Sequence, residues 1–302
     1  MCRCFGIHFD ATAAKRALIV VLCACFLLTF TTSGSGQSGP NHKVVVLNFD
    51  DVSTSQIRYV KPILDQYGYK ATFFPVCDWV DTTKAWDEIE ALHRDGMDIQ
   101  SHTLTHPVLS ELSETQLENE IALSQQCLLE HGINATIFAY PFGAGMQNKT
   151  VVDIVAKYYD LARGATYCCP KDGVSNILDS RYSVNSWVQL HITGPYDYSS
   201  YTCISDDCQS LDNSQIFEEF VKIVNDQQID SDGRIKGVPI IVYHGFVPYD
   251  NIEVSKIPTD TSVSLFQQEM KYLHDNGFEV LDLRDLLNDT RINFSSADTD
   301  LH

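Results

Sequence analysis

Seven short apolar runs, several of them separated by stretches with the apolar spacing of a helix, constrain this chain more than any other feature. They read KVVVLNF from Lys43, KATFFPV from Lys70, GMDIQ from Gly96, ATIFAY from Ala135, YDLARGA from Tyr159, GVPIIVYH from Gly237 and GFEVLDL from Gly277. Between them, Leu117, Ile121 and Leu128 form one helical stripe, with Ser113 and Gln116 placed as a capping box. Phe217, Val221 and Val224 mark a second helix, and Phe266, Met270 and Leu273 a third. Strands alternating with amphipathic helices build parallel sheets covered by helices. About seven strands over roughly 250 residues suit an α/β barrel, closed or nearly closed.

The remainder of the chain frames that domain. Arg3, Lys15 and Arg16 precede the apolar run Ala17 to Phe30, and small polar residues follow it. This is the layout of a secretory signal, so residues 1–32 are expected to be a signal peptide or an N-terminal membrane anchor. Residues 33–42 read as a flexible linker, 43–290 as the folded domain and 291–302 as a polar tail. Export predicts a secreted or cell-surface protein. It also makes disulfides the natural use of Cys77, Cys127, Cys168, Cys169, Cys203 and Cys208, the cysteines beyond the leader. The net charge of −19 and the lack of a basic stripe argue against a nucleic-acid partner. Membrane contact is expected only through the N-terminal segment.

Reactive groups in parallel α/β folds gather at the C-terminal ends of strands. Four polar clusters fall there: Asp50-Asp51 after the first run, His102 and His106 in SHTLTH, His244 after GVPIIVY, and the tight loop Tyr140-Pro141-Phe142-Gly143. Two adjacent carboxylates at a buried strand end are costly unless a cation lies beside them. Two imidazoles and one carboxylate are a recognised donor set for zinc or a neighbouring transition metal with open positions. A cation held by His102 and His106 against one aspartate explains the acidic pair. The other aspartate is then free to act as a base, with His244 as an acid. The residues alone leave open which aspartate does which. Trp79 and Trp86 are expected to pack rather than to serve as sugar platforms.

LNFDD, SHTLTHP, FAYPFG and IIVYHG, in this order and from about Lys43 to Leu287, resemble the motifs of the polysaccharide deacetylases, the NodB-homology or carbohydrate esterase 4 group. The resemblance implies a distorted (β/α)7-type barrel and metal-dependent removal of N-acetyl groups from N-acetylglucosamine-containing polysaccharide or oligosaccharide. It implies that Asp51, His102 and His106 ligate a divalent metal, with zinc the default and Co2+, Ni2+ or Mn2+ as alternatives. Asp50 becomes the base that activates water, and His244 the acid that protonates the leaving amine. The backbone N–H of Phe142, in the Tyr140–Gly143 loop, stabilises the oxyanion.

Two departures from the family pattern stand out. Many members carry an arginine where this chain has Ala139; Arg163 or Arg181 is expected to replace it, with Arg181 favoured. The acidic motif that orients the catalytic histidine in many members has no clear counterpart, and NSWVQLH stands there with Trp187 as a groove wall. These departures leave two alternatives: an O-acetyl polysaccharide esterase, and a non-catalytic glycan-binding member of the same fold.

Overall fold

A computed structural model describes residues 43–146, 148–164, 187–188, 213–225, 227–229, 231–233, 235–248 and 260–291. The leader, the linker, the tail beyond Arg291, Arg181 and Cys168, Cys169, Cys203 and Cys208 lie outside these residues. For Trp187 only the backbone course is described. All described residues belong to one compact unit, His42–His302. Among them, no helix is long and apolar enough to cross a membrane.

The strands, in chain order, are β1 (Val44–Asp50), β2 (Thr72–Phe74), β3 (Asp98–Ile99), β4 (Ile137–Ala139), β5 (Leu161–Arg163), β6 (Trp187–Val188), β7 (Gln228–Ile229), β8 (Ile235–Gly237), β9 (Ile240–Tyr243), β10 (Phe246–Val247), β11 (Thr261–Ser262) and β12 (Glu279–Leu281). Each of the seven apolar runs supplies one of β1 to β5, β9 and β12. The helices are α1 (Lys61–Tyr67), α2 (Cys77–Thr83), α3 (Trp86–Arg94), α4 (Glu114–Glu130), α5 (Lys149–Val155), α6 (Asn213–Asn225), α7 (Val263–Asp275) and α8 (Leu283–Asn288).

The main sheet runs β3-β2-β1-β9-β6, all parallel. β4 pairs with β5 in parallel, and a bridge from Ser101 to Phe138 carries the β3 edge on to β4. One edge of β1 takes β9 along Val46–Phe49. Its other edge is shared, first by β12 at Val44–Val46 and then by β2 at Asn48–Asp50. This is the parallel strand order of a distorted (β/α) barrel. The remaining strands form two small pairs, β7 with β8 and β10 with β11.

All of β1 is buried, as a central parallel strand with both faces covered must be. Its odd residues, Val45, Leu47 and Phe49, join side chains of the surrounding helices, among them Ile121, Phe220, Phe266 and Met270. Its even residues Val44 and Val46 meet Phe74, Ile137, Ala139, Leu161 and Ile240 in the barrel interior, with Leu283 and Leu286 of α8 below. The inward column of β1 therefore reads Val44, Val46, Asn48, Asp50: apolar at the bottom, polar at the mouth. Strand parity alone delivers Asp50 to the interior rim.

Helix α4 starts as its sequence predicts, with Ser113 and Gln116 in a reciprocal capping box and Leu117, Ile121 and Leu128 buried. A disulfide from Cys77 at the start of α2 to Cys127 on α4 ties these helices together.

Candidate metal centre

Asp51 is the first residue past β1, and its φ of +67° turns the chain sharply out of the strand. The histidine loop follows β3 and needs two more left-handed residues, Thr103 at φ +70° and His106 at φ +65°. This is how two histidines four apart face each other without a helix. The loop is held from outside. The Glu120 carboxylate on α4 accepts from Leu104 N at 3.2 Å, Thr105 N at 2.9 Å and the Thr105 hydroxyl at 2.8 Å. His106 N donates to Thr103 Oγ1 at 2.9 Å, and Asp78 N on α2 donates to the Leu104 carbonyl at 2.9 Å. Nothing in the sequence marked Glu120, which reads as one acid on a solvated helical face.

His102 Nδ1 lies 2.9 Å from the Ala139 carbonyl, so its proton belongs on Nδ1 and the Nε2 lone pair faces the barrel mouth. There three ligand atoms form a triangle. His102 Nε2 is 3.2 Å from His106 Nε2 and 3.6 Å from Asp51 Oδ1, and His106 Nε2 is 3.3 Å from Asp51 Oδ1. Ligand atoms arranged tetrahedrally at about 2.0–2.1 Å from one ion stand about 3.4 Å apart. Asp51 Oδ1 is buried with no hydrogen-bond partner among the described residues, and a cation would satisfy it. Burial lowers the His102 pKa; burial and then neighbouring His102 bring His106 down to about 4. Both rings are therefore neutral near pH 7, as ligation requires. Asp51, His102 and His106 fit a single divalent ion.

Asp50 stands back from this triangle, with Oδ2 3.9 Å from His102 Nε2. Its Oδ1 accepts from Arg163, and both side chains are almost wholly buried. Burial pushes the Asp50 carboxyl up, but Arg163, His102 and His244 together hold it at about 2. Arg163, one of the two arginines expected near this site, pairs with Asp50, while Arg181 lies outside the described residues. Arg163 is the register partner of Ala139 on the neighbouring strand, and its guanidinium lies 4.8 Å over the Phe74 ring. The cation absent from position 139 thus enters from one strand to the side, on the same face of the sheet.

His244 directly follows β9 at the rim, 7% exposed, near enough for its charge to be felt at Asp50 and His106. Its Nδ1 has no hydrogen-bond partner among the described residues. The next residue admits no side chain, because a Cβ on Gly245 would stand 1.8 Å from Asp260 Oδ1. In the Tyr140–Gly143 turn, Tyr140 is buried and Phe142 sits at φ +59° with its ring edge-on to His106, centroids 4.5 Å apart. Trp79, 40% exposed, lies 5.0 Å from His106 on another side, so the metal triangle is walled by two aromatic rings. Trp86 instead packs on His131 at 3.6 Å, away from the site.

Residues 37–159 match the family model for polysaccharide deacetylase. Over that stretch, which holds the metal triangle, the protein is of the polysaccharide deacetylase family. Among curated relatives, it is 33% identical over 142 residues to a gellan lyase of a Bacillus species, covering 46% of this chain and 5% of that protein. It is 27% identical over 125 residues to a bifunctional xylanase/deacetylase of Pseudobutyrivibrio xylanivorans, covering 41% of this chain and 21% of the relative. This chain thus spans only a small part of the length of either relative. Its fold is similar to the Xyl-CE4 domain of a multidomain xylanase from the hindgut metagenome of Trinervitermes trinervoides, with a TM-score of 0.53 at 20% identity, over 84% of this chain and 93% of that one.

Proposed function

We propose that this domain is a metal-dependent hydrolase that removes acetyl groups from a polysaccharide, with O-acetyl esters as its first substrate class. The observation that carries the reading is the pairing of two unlike carboxylates at one rim. Asp51 faces two imidazole nitrogens, while Asp50 is held ionised by Arg163 just outside that triangle. One carboxylate to hold an ion and one to take a proton is what hydrolysis by an activated water needs.

Asp51, His102 and His106 would hold a divalent ion, which would supply Lewis acidity toward an acetyl carbonyl and a water. Two nitrogens and one oxygen suit zinc, with cobalt, nickel or manganese as alternatives. Asp50 is the residue placed to take a proton from an attacking water, on Oδ2, since Oδ1 is engaged by Arg163. The Phe142 N–H, turned by the left-handed backbone of its loop, steadies the negative charge that develops on the acetyl oxygen. His244 protonates the departing atom from the opposite rim. Trp79 and Phe142 form the walls against which the sugar rests.

The ester is placed before the amide because of His244. Among the described residues, no carboxylate holds its Nδ1. An amine must be protonated to leave, whereas a departing alkoxide demands less of its acid, so a loosely anchored imidazole limits amide cleavage first. The bifunctional xylanase/deacetylase relative points the same way, toward a xylan-type polymer. The Cys77–Cys127 disulfide supports an extracytoplasmic location, as does the leader-like N-terminus.

The test is acetate release from acetylated xylan and from chitin oligomers by the zinc-loaded protein. Release from the ester, lost with a chelator and in Asp50→Asn, is the expected result. Glycan binding without acetate release, unchanged in Asp50→Asn, would show a binding module instead.

A further inference from the structure

The residue after the second serine of STSQ is Gln56, the first residue of a π-helical turn, Gln56–Val60, that precedes α1. It is completely buried. Its carboxamide nitrogen donates to two backbone carbonyls, that of Asp50 at 2.7 Å and that of His244 at 2.6 Å. Asp50 is six positions from Gln56 and His244 is 188, and they stand at the C-terminal ends of two neighbouring strands, Asp50 as the last residue of β1 and His244 just past β9. The adjacent Ser55 reinforces the tie, since its Oγ accepts from Phe246 N at 3.0 Å. The Gln56 carboxamide oxygen is buried and makes no hydrogen bond among the described residues. π-helical turns concentrate at functional sites.

We infer that Gln56 is a positioning residue that sets the spacing between the proton acceptor and the proton donor of the reaction. The inference rests on the roles proposed above for Asp50 and His244. One planar amide with both its N–H bonds committed fixes the ends of β1 and β9 relative to each other. The Asp50 side chain is anchored independently by Arg163, whereas His244 Nδ1 has no such anchor among the described residues. Loosening the tie therefore moves the donor more than the acceptor. Of the metal triangle, Asp51 borders the tie through the Asp50–Asp51 peptide, while the two histidines sit on a separate loop that Gln56 does not touch.

The experiment compares two substrates in the zinc-loaded protein: an acetylated xylooligosaccharide, whose leaving oxygen needs a proton, and 4-nitrophenyl acetate, whose phenolate leaves without one. Gln56→Met keeps the volume and removes both donors. With both rates taken per zinc bound, it is expected to lower kcat on the oligosaccharide at least tenfold more than on the aryl ester. Gln56→Glu, which can keep one donor when protonated, should fall between the two and carries the test if the methionine variant does not fold. A purely structural role lowers both activities together in proportion to the folded protein, so an unchanged ratio in either variant overturns the inference. A wild-type protein that hydrolyses neither substrate overturns the esterase reading and this inference with it.

Discussion

Replacing Arg163 by alanine strips a guanidinium from a carboxylate that is only 2% exposed. Removing one partner of a buried ion pair costs about 3–5 kcal/mol, because the other charge stays buried and unpaired. A second route gives a similar size. Burial opposes the ionised form of Asp50, yet Arg163, followed by His102 and His244, brings it from 3.8 to about 2. That difference corresponds to about 2.5 kcal/mol in favour of the charged folded state. Because the folded value lies below the unfolded one, this contribution is present above about pH 4 and fades as the pH falls toward 2. Urea denaturation of Arg163→Ala at pH 7 should therefore show a loss of about 3 kcal/mol, shrinking at pH 3, and kcat should fall about a hundredfold. The register suggests a rescue. Ala139 and Arg163 are direct partners on adjacent parallel strands, so Arg163→Ala with Ala139→Arg moves the charge sideways at constant volume. The double variant should recover most of the stability. A single variant within about 0.5 kcal/mol of wild type, or a double variant no better than the single, refutes the reasoning.

Three further outcomes are expected. Burial pushes the Asp282 carboxyl up to about 6, so its contribution to stability declines as the pH rises from about 4 through 6. Asparagine caps a helix as well as aspartate does, so Asp282→Asn keeps the start of α8 and should be up to about 3 kcal/mol more stable at pH 8 yet near wild type at pH 4, as read by thermal melts at both pH values. Dialysis against a chelator should lower the melting temperature, with zinc restoring it; zinc at a hundredfold its Kd adds about 2.7 kcal/mol, and Asp51→Asn or His106→Ala should abolish the stoichiometric ion by elemental analysis. Reduction of Cys77–Cys127, which closes a loop of sequence separation 50, should cost about 4 kcal/mol in denaturant unfolding.

Much of this was legible in the chain. The apolar runs became strands because a parallel strand with both faces covered leaves an uninterrupted apolar signature, and β1 is buried throughout. The α4 start was legible because a capping box is a purely local device. Asp51, His102 and His106 stand together, and their motifs lie at strand ends. What the sequence hid was lateral and distant. Arg163 was one of two named arginines, and only the β4–β5 register shows that position 163 neighbours position 139. Glu120 lies 15 residues beyond Thr105 on a helical face that reads as solvated, and its role exists only once α4 packs beside the histidine loop. Gln56 bridges carbonyls, and a backbone carbonyl carries no residue-specific trace in the sequence at all.

Asp51, Thr103, His106 and Phe142 all hold a backbone that side-chain-bearing residues resist. Each such conformation costs about 1 kcal/mol or more. Glycine at any of the four would relax the chain, but at Asp51 and His106 it would delete a donor, and at Thr103 the hydroxyl that catches His106. An ion held there would be the keystone of a sprung arch: without it, these loops are the first part of the barrel expected to slacken. Attempts to toughen this domain belong at its base, around α8, and not at its crown.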